Sequence, residues 1–318
     1  MNRNASATIH ICTGYPPSSM NEALLASVRL RLALIIDGAR SLDRRVTTGW
    51  STKYRDGLVV VGKVSPAIDD QSLVRLLQSI ESHQGKIIID YTDDWIYSGD
   101  DRGRLIYKAL FRRATLISVP SAYMESQVKK FNPQHMTAVI PDWSECPIQQ
   151  QTHLNKKKTN LLWFGHPSNL PSFFAWFDSK LENFRGTIHA VTNEAGLNTL
   201  LTYAKDKRFD VRGYDWSLEN LKLAAAKSSC CIIPAHKRGA SENRLITALS
   251  LGLPTVADQI PSYEKFNEYF IDAADNKKFL KVLSDPENFR SQTLVAQEKI
   301  LNRYSRASLT DEWRKLLT

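Results

Sequence analysis

The sequence predicts two successive α/β domains, each a doubly wound parallel sheet with helices on both faces. Three observations point there. Strand-length aliphatic runs alternate with helix-length amphipathic stretches through the first 140 residues. From Pro147 to Lys158 the chain turns polar, with three glutamines and three consecutive lysines, and reads as a linker. The alternation then restarts, and 318 residues suit two domains of about 150 residues better than one core. The expected division is therefore 1–150 and 151–318, with a cleft between the two.

The elements follow in order. Ala7 to Cys12 reads as a first strand, closed by a Gly-Tyr-Pro-Pro turn at Gly14 to Pro17 and followed by a helix over 21–36. Leu58 to Val61 is a buried strand, Asp70 caps a helix running to Ile80, and Ile87 to Asp90 is the next strand. A helix over 104–113, a strand over 115–119, a helix over 121–130 and a strand over 137–140 complete the first half. In the second half the strands are Leu161 to Phe164, Thr187 to Val191, Phe209 to Val211, Cys230 to Ile233 and Pro254 to Ala257, with helices between them. The helical stretch from Gln292 to Leu317, broken near Ser305 to Ser308, either completes the second domain or crosses back to the first. In such sheets ligands bind beyond the carboxyl ends of the strands, so functional residues are expected just after each strand.

Composition narrows the class. Hydrophobic residues make up 42% and charged residues 24%, close to a globular average, which excludes a disordered or fibrous chain. No apolar run approaches the roughly 20 residues needed to cross a bilayer, and the N-terminus lacks the apolar stretch of a secretory signal. The expectation is a cytoplasmic protein. Four cysteines without CxxC spacing, and histidines without ligand spacing, predict neither disulfides nor a structural zinc. The net charge of +9 divides as +3 over residues 1–150 and +6 over the rest, a spread-out excess rather than a patch. No G-x-S-x-G, Walker lysine loop or G-x-G-x-x-G follows a strand, which removes support from hydrolase, ATPase and dinucleotide oxidoreductase readings.

The most informative segment is Ile232 to Ala257, IIPAHKRGASENRLITALSLGLPTVA. A strand ends at Pro234, a loop carries His236, Lys237, Arg238, Gly239 and Ser241, and a helix starts near Ser241 and stops at Gly252. A helix N-terminus with Lys237, Arg238 and Arg244 around it suits an anion such as a diphosphate; the alternative is a solvated basic loop before an ordinary helix. Here the residues resemble a family. Ser241-Glu242-Asn243-Arg244-Leu245, with Ala248-Leu249, Gly252-Leu253-Pro254 and Val256-Ala257, is similar to the donor-binding helix of GT-B glycosyltransferases. The likeness is greatest to the large retaining group that includes many bacterial polysaccharide and lipopolysaccharide enzymes. The resemblance implies two Rossmann-like domains and a nucleotide-sugar donor held by Ser241, Glu242, Asn243 and Arg244. It also shows a departure: two glutamates eight positions apart in the family correspond here to Gly239 and Thr247.

Further segments extend the likeness. Leu161 to Asn169 resembles the first strand and glycine turn of the family's donor domain, which implies Gly165, His166, Ser168 and Asn169 at the donor pocket; the alternative is a plain strand-to-helix turn. Tyr214-Asp215-Trp216-Ser217 resembles the family's turn near the base, although Asp215 reads first as a turn residue or helix cap. Thr115 to Lys130 and Ala138 to Asp142 resemble the elements closing the acceptor domain, with Ser121 read as an N-cap and Ser118 as a minor cleft candidate. Asp90, Asp93 and Asp94 follow a buried strand. They crowd like charges, and Asp93 or Asp94 is placed to orient or deprotonate an acceptor hydroxyl, with Asp90 an acceptor contact. The alternatives are Asp90 bound to backbone amides and Asp94 capping a turn. Gly14 and Tyr15 lie at the end of the first strand, where family members contact the acceptor or the departing phosphate. Arg29 and Arg31 either reach the cleft or face solvent. The basic helix with Arg102, Arg104, Lys108, Arg112 and Arg113 reads as a packed helix with a charged outer face, or as a contact with an anionic membrane near a lipid-linked acceptor.

The expected activity is transfer of a sugar from a nucleotide-sugar to a hydroxyl of a glycan or lipid-linked saccharide, without a cofactor and without metal dependence. The alternatives are a nucleic-acid base glycosyltransferase, a non-catalytic sugar- or partner-binding protein on the same scaffold, and a nucleotide-sugar epimerase.

Overall fold

A computed structural model of the chain describes residues 8–13, 26–50, 57–97, 99–149, 159–182, 184–205, 207–235 and 239–318. The chain divides into two compact units, Met1–Trp143 with Tyr304–Thr318, and Ser144–Arg303. The division thus falls a few residues before the polar stretch, and the C-terminal helix Arg306–Leu317 belongs to the first unit.

The first unit is built on six parallel strands: β1 (Ile9–Cys12), β2 (Val46–Thr48), β3 (Leu58–Val61), β4 (Ile87–Asp90), β5 (Leu116–Val119) and β6 (Thr137–Val139), in the order β2-β1-β3-β4-β5-β6. Its helices are α1 (Ala33–Ser41), α2 (Asp70–Ser82), α3 (Asp101–Arg113) and α4 (Ala122–Phe131). The uniformly apolar strands are explained by burial on both faces. Ile87 and Ile89 enter one core with Tyr107, Leu110, Phe111 and Met124, while Ile88 enters the other with Leu34, Ile35, Leu309 and Trp313. Strand β2 escapes the sequence reading because Val46-Thr47-Thr48, one aliphatic residue before two threonines, lacks an apolar run. The helix expected over 21–36 is described from Ala26 and passes through a π-helical turn, Val28–Leu32, before α1. Helix α2 is capped by Asp69, not Asp70: the Asp69 carboxylate accepts the Ser72 amide at 2.8 Å. Ser121 caps α4 by accepting the Met124 amide at 3.3 Å.

The second unit carries β7 (Asn160–Phe164), β8 (Thr187–Thr192), β9 (Asp210–Asp215), β10 (Cys230–Ile233), β11 (Thr255–Ala257) and β12 (Ile271–Asp272), all parallel, ordered β12-β11-β10-β7-β8-β9. Helices α5 (Leu170–Lys180), α6 (Glu194–Ala204), α7 (Leu218–Ala226), α8 (Asn243–Ser250), α9 (Asn276–Ser284) and α10 (Arg290–Arg303) accompany them. Trp163, Phe173, Phe177, Ile188, Cys230, Ile232 and Phe279 share one core, and Cys230 and Cys231 are buried free thiols. The sheet runs outward in two directions from the β7–β10 pair, toward β8 and β9 on one side and β11 and β12 on the other. At such a reversal the connections leave in opposite directions and open a crevice at the carboxyl ends of the two strands.

No described helix is long and apolar enough to cross a membrane. On α3, Arg102 pairs with Asp70, Arg104 with Asp101, and Arg113 lies 3.9 Å from Glu81. Much of the positive charge read from that helix is therefore already matched by carboxylates.

Candidate functional site

The carboxyl ends of β7 and β10 bring together several of the residues expected to bind a donor. Beyond β7 the chain turns at Gly165, whose φ of +154° favours glycine. Its amide donates to the Val191 carbonyl at 3.1 Å. A Cβ added there would lie 3.2 Å from Asn169 Nδ2 and 3.5 Å from Arg244 Cζ. Gly165, Asn169 and Arg244, far apart in sequence, are thus neighbours. The glycine lets the guanidinium approach the backbone. His166 and Ser168 are exposed and serve each other: the Ser168 amide donates to His166 Nδ1 at 3.2 Å, and the Ser168 hydroxyl lies 2.9 Å from that same nitrogen.

Arg244 lies in the first turn of α8. Its guanidinium sits over the Phe164 ring, 5.7 Å from the centroid, and Phe164 in turn lies against Trp216 at 6.4 Å. Nη1 reaches the Pro234 carbonyl only at the 3.5 Å limit, and Nε and Nη2 are buried with no partner among the described residues. Burial pulls the guanidinium below its ordinary value, opposed only by Tyr263 and Cys231. Glu242, the N-cap of α8, caps none of the first-turn amides with its side chain. First-turn amides that Glu242 does not cap, beside a guanidinium with two nitrogens unpartnered among the described residues, have the chemistry that suits an anion.

A second buried arginine shows the contrast. Arg31 is 1% exposed, as is its partner Asp90. Its Nη2 lies 2.7 Å from Asp90 Oδ1, Nε lies 2.9 Å from both Asp90 oxygens, and Nη1 lies 3.3 Å from Asp142. The Ile140 carbonyl and Ser118 hydroxyl accept its remaining donors. Burial pulls this guanidinium down as well, but Asp90 and Asp142 more than offset it and the net displacement is upward. Arg31 is satisfied by the protein, whereas Nε and Nη2 of Arg244 find no partner among the described residues.

The other expected site residues divide as follows. Asp90, expected to contact an acceptor, is buried and committed to Arg31, so it has no carboxylate face to offer. The anticipated crowding of Asp90, Asp93 and Asp94 is resolved by separate partners. Asp93 pairs with Lys63 at 2.6 Å and stays 42% exposed, whereas Asp94 accepts the Tyr91 hydroxyl and the Tyr97 amide, both at 3.3 Å. Asp93 is therefore the aspartate of this segment with an accessible side chain. Glu242, expected to bind the donor, is fully buried, and its Oε1 lies 2.5 Å from Lys265 Nζ. Ser241 and Asn243 are half-buried where α8 begins. Thr247, where the resemblance would place a glutamate, is buried within α8. Gly14, Tyr15, His236, Lys237 and Arg238 lie outside the described residues. Sequence reading missed Lys63, Asp258 and Lys265, whose partners are 23 to 30 positions away with no period linking them.

No model of a known protein family matches the chain, and no curated protein matches it in sequence. Solved structures do match in fold. Sucrose-phosphate synthase of Thermosynechococcus elongatus superposes with a TM-score of 0.67 at 13% identity, covering 98% of each chain. HepE of Anabaena, solved with UDP and glucose, gives 0.65 at 10% identity, covering 97% of this chain and 98% of that one. TarM gives 0.61 at 13% identity, covering 82% of this chain, which spans about half (55%) of TarM's length. The fold is accordingly the two Rossmann-like units of GT-B glycosyltransferases.

Proposed function

We propose that the protein is a glycosyltransferase that moves a sugar from a nucleotide-sugar to an acceptor hydroxyl, with the donor diphosphate seated against the Gly165 turn and the Arg244 guanidinium at the start of α8. The observation that carries this reading is the half-satisfied guanidinium of Arg244 at the sheet reversal, since an anionic ligand would supply the partners that Nε and Nη2 lack among the described residues. The GT-B fold raises the prior for nucleotide-sugar chemistry by analogy. A bond forms between the acceptor oxygen and the anomeric carbon as the bond from that carbon to the diphosphate oxygen breaks. The nucleoside diphosphate leaves with the bonding pair, and the hydroxyl proton passes to a base. Arg244, the first-turn amides of α8 and the loop cations Lys237 and Arg238 stabilise the departing charge. Asp93, accessible beyond β4 and held by Lys63, is the candidate to receive the proton. A glycan or lipid-linked saccharide is the acceptor class.

The test is calorimetric titration with UDP, GDP, ADP, CMP and dTDP beside their nucleosides, followed by assay of the matching nucleotide-sugars for transfer. At least one diphosphate should bind tenfold or more tighter than its nucleoside. Equal affinity for the two, or no binding by any of them, would remove the diphosphate site.

A further inference from the structure

Strands β3 and β4 are neighbours in the first sheet, and the residues just beyond them meet through one charge pair. Lys63 Nζ lies 2.6 Å from Asp93 Oδ2. That oxygen is buried, while the Asp93 side chain as a whole is 42% exposed, so the open part of the carboxyl group is Oδ1. The backbone on both sides of the pair is anchored. The Gly62 amide donates to the Cys12 carbonyl at 3.2 Å and the Val64 amide to the Tyr107 hydroxyl at 3.1 Å, which holds the residues before and after Lys63. Beyond β4 the Trp95 amide donates to the Asp93 carbonyl at 2.9 Å, and the Ile96 amide to the Tyr91 hydroxyl at 2.9 Å. An ion pair between two anchored residues fixes the direction in which the remaining carboxylate oxygen points.

We propose that Lys63 is a positioning residue for the transfer: by taking Asp93 Oδ2 it leaves Oδ1 as the one oxygen presented to the acceptor hydroxyl. The inference rests on the reading of Asp93 as the proton acceptor. An ammonium has donors and no lone pair, so Lys63 cannot itself take the proton. The hydroxyl oxygen bonds the anomeric carbon, its proton passes to Oδ1, and the nucleoside diphosphate leaves with the bonding pair. Misplacing a reacting group by about 1 Å can cost roughly a hundredfold in rate, whereas an exposed ion pair adds little to stability. Loss of the lysine should therefore be felt in turnover and hardly in folding.

The experiment follows release of nucleoside diphosphate with water as the acceptor, from whichever of UDP-glucose, GDP-mannose and ADP-glucose the wild type hydrolyses fastest. The proteins are wild type, Lys63→Met, Lys63→Arg, Asp93→Asn and the double variant of Lys63→Met with Asp93→Asn. Lys63→Met should lower kcat about tenfold or more, with the donor KM within about twofold and Tm within about 2 °C of wild type. Lys63→Arg returns a cation to Oδ2 and should recover kcat to within about threefold of wild type. The double variant should be no slower than Asp93→Asn, because a lysine that acts through the carboxylate has nothing to add once the carboxylate is gone. Additive losses in the double variant would show Lys63 acting on the substrate by itself, a raised KM at unchanged kcat would show a donor contact, and a Tm lowered by about 5 °C or more would show a structural role. Any of the three overturns the proposal. Wild-type turnover in Lys63→Met beside a loss of about tenfold or more in Asp93→Asn defeats this inference alone. Wild-type turnover in Asp93→Asn defeats the assignment of the base as well, and a wild type that hydrolyses none of the three donors defeats the proposed reaction with it.

Discussion

Replacing Arg244 with methionine removes the charge and keeps most of the side-chain volume over Phe164. In the unliganded protein the guanidinium offers Nε and Nη2 to no described acceptor, so its burial costs free energy without an ion pair to offset it. An unsatisfied buried polar group costs about 1–3 kcal/mol, and because Arg244 is half-buried as a whole we take the lower end, about 1 kcal/mol. Arg244→Met should then leave the second unit as stable as before or slightly more so, a change of zero to about +4 °C in Tm for a unit of this size. The effect on binding runs the other way. Two hydrogen bonds from a charged donor, at about 1.5–3 kcal/mol each, amount to about 3–6 kcal/mol, and at 1.4 kcal/mol per decade even the lower figure weakens nucleotide affinity more than a hundredfold. Calorimetric titration and thermal unfolding of the same preparation read both effects. Unchanged affinity, or a Tm lowered by 5 °C or more, would show that Arg244 has a protein partner and is not waiting for an anion.

The same substitution at Arg31 should have the opposite outcome. Arg31→Met strands Asp90 and Asp142 in the core, costing about 3–5 kcal/mol, and should lower Tm by roughly 10 °C or prevent folding. A stability equal to wild type would mean that the network is not formed. A pH dependence follows from His189, buried on β8 with its Nδ1 3.2 Å from the Tyr214 hydroxyl. Burial, with Lys227 and Arg212 adding to it, pushes this imidazole down from 6.5 to about 4. The folded protein keeps it neutral while the unfolded chain takes up a proton, so its contribution to stability is intact above pH 6.5 and is lost as pH falls toward 4. The loss reaches at most about 3 kcal/mol at 1.36 kcal/mol per unit. His189→Phe should remove that part of the slope in denaturant titrations between pH 4 and 7, and a slope identical to wild type would reject the assignment.

The two arginines show where sequence reading reaches its limit. Both are interspersed with apolar residues on helical segments, and nothing local distinguishes them. One meets two carboxylates, 59 and 111 positions away, and the other meets none among the described residues. The aspartates after β4 teach the same lesson. Their place beyond a buried strand was legible, but the assignment of Asp90 to the core and Asp93 to the surface required knowing that β4 lies against β5 and beneath the π-helical turn.

The sequence by itself determined the class of fold, because uninterrupted strand-length apolar runs are stable only when both faces of a sheet are covered. It also located the glycine turn after β7 and the cationic start of α8, since turns and helix ends are written in a few adjacent residues. Tertiary structure decided which charges are spent and which are free. Strand order places Gly165 beside Arg244, and a lysine from beyond β11 pairs with the buried Glu242. An ion pair depends on distance in space, and no period in the chain encodes a partner that a sheet crossover brings into reach.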